Sequence, residues 1–454
     1  MAHKTHSAAD LTHGPLGMKI FLFALPLAAT GMLQQLFNAA DVMVIGRFVG
    51  KNAMAAVGSN SSVIGLLVNL FLGIATGVNV VVAQSTGRGE GDKVRAEVHT
   101  SILTGIIAGL IACAIGQAVA HPLLIFLGVP EEILPMAELY LRIYMAGVPV
   151  ILLYNVEAAI LRSQGDTKTP LVCLIFSGLL NVVLNLVFVL IFHMTVDGVA
   201  LATMISNAVS AILLLICLMR FEGDARVELS KLKIHRKALG RILYIGIPSG
   251  LQGIVFSLSN VTVQSAVNSL GADIMAASSA AFNIEILIYY LENSFAQACT
   301  TFVGQNYGAG KRERCEKATR LCMLQDIAMT AVVSVIICLL RAPLLRLFNS
   351  DPVVVEYGSI RVIYLVAPYV IYAVMDVLSG GMRGYGLAVI PTIILIGGVC
   401  GLRILWVLFV FPLRATFSML MLVYPVSWIV TSVVLLIAYF ILVRPLERPA
   451  AKEQ

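Results

Sequence analysis

Residues 18–50 read MKIFLFALPLAATGMLQQLFNAADVMVIGRFVG. The stretch is apolar enough to span a bilayer, yet it carries Gln34, Gln35, Asn38 and Asp41, and Asp41 is the only charge between Lys19 and Arg47. At 1.5 Å per residue those two cations stand roughly 42 Å apart on a helix, about the thickness of a bilayer with its headgroups. Asp41 precedes Arg47 by six residues, so it lies inside the membrane, roughly 9 Å from that end. Inserting a carboxylate there costs about 2.5 to 3.5 kcal/mol, which makes an acid in this position a functional candidate by default.

The remaining chain extends this pattern. Of 454 residues, 59% are hydrophobic and 12% charged, where soluble domains carry roughly 25% charged residues. Charge-free runs over 52–87, 98–130, 169–196, 198–219, 242–272 and 415–443 each exceed the ~18 residues that read as a spanning helix. Alternating segments of about ten residues, the mark of a membrane β-barrel, do not occur. The fold class is therefore an all-α polytopic membrane protein. Its first span is too long for a signal peptide and lacks a small-residue cleavage site, so it stays in the protein. The eight cysteines form no CxxC pair and read as packing residues. His3 and His6 fall in a polar leader, where a metal role is not expected.

Cutting at charged and Pro/Gly-rich clusters predicts twelve transmembrane helices near 18–46, 53–84, 96–120, 134–160, 170–193, 197–220, 240–268, 274–304, 316–341, 356–380, 388–411 and 416–443. Most of the 31 lysines and arginines lie at the termini and in the even-to-odd connections. Arg47, Lys51, Arg142, Arg341, Arg346, Arg361 and Arg414 lie on the opposite side, and Arg403 is left inside. The positive-inside rule then puts both termini in the cytoplasm of a multi-pass plasma (inner) membrane protein. The net charge of +6 is this bias and calls for no nucleic-acid partner.

Sliding the chain against itself by about 221 residues reveals a duplication. Val82-Ala-Gln84-Ser-Thr-Gly87-Arg-Gly89 meets Val303-Gly-Gln305-Asn-Tyr-Gly308-Ala-Gly310, Pro122-Leu-Leu meets Pro343-Leu-Leu, and Arg162, Gly165 and Pro170 meet Arg383, Gly386 and Pro391. The expected organisation is a leader (1–17), a first six-helix bundle (18–220), a cytoplasmic linker (221–239), a second six-helix bundle (240–443) and a tail (444–454). Six spans per unit make the repeats parallel, a transporter architecture with its site near the midplane.

Four motifs carry a family resemblance. Gln84-x-x-Gly87-x-Gly89 and Val303-Gly-Gln305-Asn-Tyr-Gly308-Ala-Gly310-Lys311 resemble the loops after the second and eighth helices of multidrug and toxic compound extrusion (MATE) transporters. Leu161-Arg162-x-x-Gly165-Asp166-Thr167-Lys168-x-Pro170 resembles that family's connection between helices four and five, and Asp41-x-Met43-Val44-Ile45-Gly46 the acidic end of its first helix. The similarity runs over residues 16 to 445. It implies two pseudo-symmetric six-helix bundles arranged as a V. It further implies alternating access and secondary active export of multidrug-type organic compounds, coupled to protons or sodium.

Antiport needs a site that a coupling ion or the substrate can occupy, with differential affinity for the two conformations. In the first bundle the candidates are Asp41, Asn181, Asn185, Gln34 and Asn38. Counted from Pro170, Asn181 and Asn185 lie roughly 16 and 22 Å deep and share a helical face. Asn185 stands where many members of the resembled family carry an aspartate. In the second bundle the candidates are Glu285, Asp376, Arg403, Glu292 and Tyr289, with Arg403 expected to pair with Glu285 or Asp376 and the remaining carboxylates to take a cation or a cationic drug. Sodium is a candidate at Asp41 or at Glu285 with Asp376. The sodium site that some family members build around a glutamate on the seventh helix does not carry over, because Phe256 stands at that depth. No cofactor is expected beyond the coupling ion, and the working form is read as a monomer in the lipid bilayer.

Two other classes were weighed. A flippase for lipids or lipid-linked precursors would want a strongly cationic cavity, whereas these candidates are mostly acidic. A membrane-embedded enzyme would need a nucleophile–base pair or a metal cluster. Away from their cytoplasmic ends the spans hold only His121 and His193, and no G-x-S-x-G occurs. Gly87-x-Gly89 is no nucleotide loop, since neither GKS nor GKT follows. The chain reads as a transporter and not as an enzyme.

Overall fold

The computed structural model describes residues 10–126 and 128–447; His3, His6 and the end of the tail lie outside them. In an apolar solvent every backbone N–H and C=O must find an internal partner, and a helix provides this within each segment. The described chain accordingly forms α1 (Leu16–Phe48), α2 (Lys51–Arg88), α3 (Gly91–Phe126), α4 (Leu134–Ser163), α5 (Lys168–Ile191), α6 (Val196–Met219), α7 (Arg236–Asn268), α8 (Ala272–Gly308), α9 (Arg312–Leu339), the short α10 (Arg341–Arg346), α11 (Pro352–Val366), α12 (Tyr369–Gly384), α13 (Val389–Leu413) and α14 (Phe417–Leu446). Eleven of these are long and apolar enough to cross a bilayer, and the number is twelve when α11 and α12, bent by 42° at their break, count as one span. The break falls at Ala367-Pro368, where proline lacks an N–H and biases the residue before it away from helix. Pro26, Pro149 and Pro248 lie inside continuous helices. Gly109 of α3 makes room for one of them: a Cβ there would stand 2.4 Å from Pro149 Cα.

The chain forms two compact units, one from Ala29–Ile254 and the other from Leu11–Ala28 together with the chain from Val255 onward. The division falls inside α1 and α7, not in the 221–239 connection. In the first unit α4 packs against α2, α3 and α6. The first part of α7 also belongs here: a Cβ at Gly73 would lie 2.3 Å from Gly246 O, and one at Gly250 2.1 Å from Leu70 O. Glycines four apart on both helices permit this close approach. In the second unit α8 packs against α9, α11 and α12, and Phe23 of α1 meets Phe302 edge-on at 5.5 Å.

The duplication is visible in the backbone. Gly50, Gly89 and Gly165 have φ of 123°, 70° and 85°, and their partners 221 residues on, Gly271, Gly310 and Gly386, have 108°, 70° and 89°. At Gly89 the left-handed turn lets its N–H reach Ser85 O and Thr86 O and ends α2, a role in which any Cβ is strained. The connection between the repeats is docked on α3. Phe221, Ala225 and Val227 are buried, Glu228 N donates to His99 Nε2 (3.2 Å), and His235 N donates to Thr100 Oγ1 (3.0 Å). The Lys231 ammonium, 2.7 Å from Glu228, holds that carboxyl below the usual range.

Candidate functional site

In the first unit the side chains of α1, α5 and α6 converge on Asp41, which is 6% exposed. Asn185 Nδ2 donates to Asp41 Oδ1 at 2.5 Å, and Thr203 Oγ1 lies 3.1 Å from Asp41 Oδ2. The same Asn185 amide is 3.3 Å from Asn181 Oδ1, and Asn181 Nδ2 donates to Thr203 Oγ1 at 3.4 Å. Asn185 Oδ1 is buried with no hydrogen-bond partner. Helix packing explains the approach: Gly178, seven residues before Asn185, leaves a gap that the Phe37 ring of α1 fills. One helical turn later α1 presents Asp41 to α5. Asn185 stands two residues before a π-helical turn, Val187–Ile191, a feature common at functional sites.

The expected trio of Asp41, Asn181 and Asn185 is thus brought together. Gln34 is half-buried, Asn38 is exposed, and neither makes a hydrogen bond among the described residues. Thr203 was missed by the sequence reading. A single threonine in the charge-free run of α6 has no mark of its own, and only the meeting of three helices singles it out. Glu157 of α4 was missed too. It is fully buried with neither carboxylate oxygen hydrogen-bonded, as are the Tyr154 hydroxyl and Arg162 Nε.

The second unit corrects the expected pairing. Glu285 pairs with Arg361 and not with Arg403: Arg361 Nε donates to Oε1 at 2.8 Å and its terminal nitrogen to Oε2 at 3.0 Å. A further guanidinium nitrogen of Arg361 bonds Ser278 Oγ. Both partners are buried. The sequence count placed Arg361 at the outer rim, but α11 begins at Pro352, with Asp351 accepting from Val353 N as its cap. Arg361 is therefore roughly 14 Å along that helix, beside α8. Arg403 instead lies between the two π-helical turns of α13. There it donates to Asn260 Oδ1 (3.3 Å) and sits 4.4 Å over the Tyr424 ring. With both Glu285 oxygens bound to Arg361, a sodium ion at Glu285 and Asp376 would have to displace a fork-shaped, charge-assisted pair.

The acidic group of this unit is Glu292, Asp326 and Asp376. Glu292 and Asp326 are fully buried and Asp376 nearly so. Thr330 Oγ1 donates to Asp326 Oδ1 at 3.3 Å. Arg383 lies 3.8 Å from Asp376. Both oxygens of Glu292 and one each of Asp326 and Asp376 have no hydrogen-bond partner. Tyr289 packs on Tyr372 at 6.5 Å between centroids, within an aromatic group completed by Tyr369 and Trp428. Asp326 escaped the sequence reading because it stands near the charged end of its segment, where an acid reads as rim.

A sequence model of the MatE family matches residues 26–187 and again 248–408, once per repeat. The chain is 29% identical over 411 residues to the probable multidrug resistance protein YpnP of Bacillus subtilis, covering 90% of each. It is 24% identical over 384 residues to a protein of Shewanella oneidensis called FAD transporter, covering 83% of this chain and 84% of that one. Its fold matches a MOP superfamily transporter from Pyrococcus furiosus with a TM-score of 0.90 at 21% identity, over 98% of this chain and 100% of the other. Two family matches in tandem, twelve spans and a shared fold lead to one conclusion: the chain belongs to the MatE family of membrane transporters.

Proposed function

We propose that this protein is a secondary active exporter of organic cations in the inner membrane, with both termini cytoplasmic, acting as a monomer and coupled through Asp41 to entry of protons or sodium. The observation that carries the reading is the Asp41 carboxylate itself. It is buried and held by an amide and a hydroxyl, with no cation paired to it among the described residues. An ionised carboxylate so enclosed is costly without a counter-ion, so a proton, a sodium ion or a cationic substrate each relieves the same charge.

The hydrogen bonds can respond to a proton. Thr203 has one hydroxyl hydrogen and two acceptors in reach, Asp41 Oδ2 at 3.1 Å and Val199 O at 3.0 Å. When Oδ2 takes a proton, the hydroxyl turns to Val199 O and accepts from Asp41. The loaded and empty states then differ in the bond between α1 and α6. Sodium would draw on the Asp41, Asn181, Asn185 and Thr203 oxygens, a hard donor set. Glu292, Asp326 and Asp376 are three buried acids of the second unit, of which only Asp376 has an arginine beside it among the described residues, and they support cations over anions as cargo.

The decisive experiment is efflux from vesicles under an imposed sodium or proton gradient, read with a cationic dye and, because of the Shewanella relative's name, with flavin adenine dinucleotide. Dye export driven by one of the gradients supports the reading. Export under neither, or export of the dinucleotide alone, sinks it. Thr203→Val removes one donor to a charged acceptor, about 1.5 kcal/mol. The ionised, empty site loses that stabilisation, so apparent affinity for a driving proton should rise roughly tenfold, whereas a driving sodium ion, deprived of the Thr203 oxygen, should bind more weakly, with maximal export retained in either case.

A further inference from the structure

Beyond the carboxylates, the second unit carries a cleft of about 480 Å³ at the Arg312 end of α9, lined by Leu16, Arg314, Lys317, Arg320, Leu321 and Leu324. Residues 314, 317, 321 and 324 follow a three–four spacing, so they stack along one helical stripe. The order along that stripe is two cations followed by two leucines. Leu324 lies roughly 15 Å further along the axis than Arg314, and it is 53% exposed. A phospholipid has the same order, phosphate at the interface and acyl chain below it.

The cations differ in how they are held. Arg314 is fixed, donating to Asn306 Oδ1 (3.0 Å), Gly14 O (3.2 Å) and Leu11 O (3.4 Å). Lys317 and Arg320 are exposed and make no ion pair or hydrogen bond among the described residues, and Glu313 and Glu316, four residues ahead of each, do not pair with them. The repeat offers a comparison. The positions 221 residues earlier than Lys317, Arg320, Leu321 and Leu324 are Ala96, His99, Thr100 and Leu103. There the same face is covered by the connection between repeats, through Glu228 on His99 and His235 and Lys233 on Thr100. Among the described residues nothing covers Lys317 and Arg320 on this face of the second repeat, which replaces Ala96 and His99 by full cations.

We propose that this cleft binds an anionic phospholipid, with the headgroup phosphate on Lys317, Arg320 and Arg314 and an acyl chain along Leu321 and Leu324. Arg314, held by those three bonds, supplies a pre-positioned charge and the one N–H left on each terminal nitrogen, and the two long, free side chains close over it with their stems on apolar surface. Basic pockets at the ends of spanning helices are suited to such headgroups.

The test uses the purified, delipidated full chain in detergent. Phosphatidylglycerol is titrated, adducts are counted by native mass spectrometry, and the thermal midpoint is followed. Lys317→Ala/Arg320→Ala is compared with wild type and with Lys93→Ala/Lys231→Ala, which removes the same charge elsewhere. The expected result is a saturable phosphatidylglycerol adduct that stabilises wild type and the control pair, and binds the cleft pair roughly thirty-fold more weakly. Phosphatidylcholine and inorganic phosphate should give no such shift. Equal binding by the cleft pair, an equal loss in the control pair, or equal binding of phosphatidylcholine overturns the proposal. Stabilisation by inorganic phosphate alone overturns it in favour of a free-anion site.

Discussion

Asp41→Asn should reduce gradient-driven export to the level of empty vesicles, a loss on the order of 100-fold, because under the proposed mechanism it removes the whole of the coupling between ion and cargo. The variant keeps the shape of the site. The new amide can donate to Thr203 Oγ1, which can turn its own hydrogen to Val199 O. Its carbonyl can accept from Asn185 Nδ2 as Oδ1 does now. Folding should therefore survive, and a fluorescence-detected elution profile like that of wild type checks that it does. What disappears is the charge on which, under the proposal, proton, sodium and organic cation compete. The informative comparison is with Glu292→Gln and Asp376→Asn. If those two abolish export while Asp41→Asn remains active, coupling resides in the second unit and the Asp41 proposal is wrong.

Arg361→Ala should have the largest effect on stability. It strips both hydrogen bonds from the buried Glu285 carboxylate and the one to Ser278. Breaking a buried pair from one side costs about 3 to 5 kcal/mol, whereas replacing both partners by neutral groups of similar size is often close to neutral. A fall in thermal midpoint of roughly 10 °C is expected in detergent, with most of it recovered in Arg361→Met/Glu285→Gln. A single variant as stable as wild type would mean that the pair does not lock α11 to α8. Partial recovery of export in the double variant would further separate this lock from the coupling groups.

How much of this was legible beforehand differs by element. The spans were readable because each rests on a local quantity, the length of an apolar run between charges. The duplication was readable because turn glycines such as Gly89 and Gly310 repeat at a fixed offset with the same backbone conformation. The meeting of Asp41 with Asn181 and Asn185 was readable because depth can be counted along a helix from its charged ends. Thr203 was not, since nothing in an isolated span says which of its faces meets another helix. Arg403 was the expected partner for Glu285 on depth alone, but α11 starts early, at Pro352, and carries Arg361 inward instead.

The amino-acid order by itself therefore determined the class of protein, the twelve spans, the two repeats and the presence of costly buried charge. All of these follow from hydrophobic run length, turn chemistry and self-similarity, which are local or directly comparable. Only the tertiary structure decided which charge meets which: Glu285 with Arg361, Arg403 with Tyr424 and Asn260, and Asp376 with Arg383, with Glu292 and Asp326 in no ion pair among the described residues. The reason is physical. Pairing of buried ions depends on helix rotation and on bends, and a shift of one residue turns a side chain by about 100° around the helix axis, far more than depth counting can resolve.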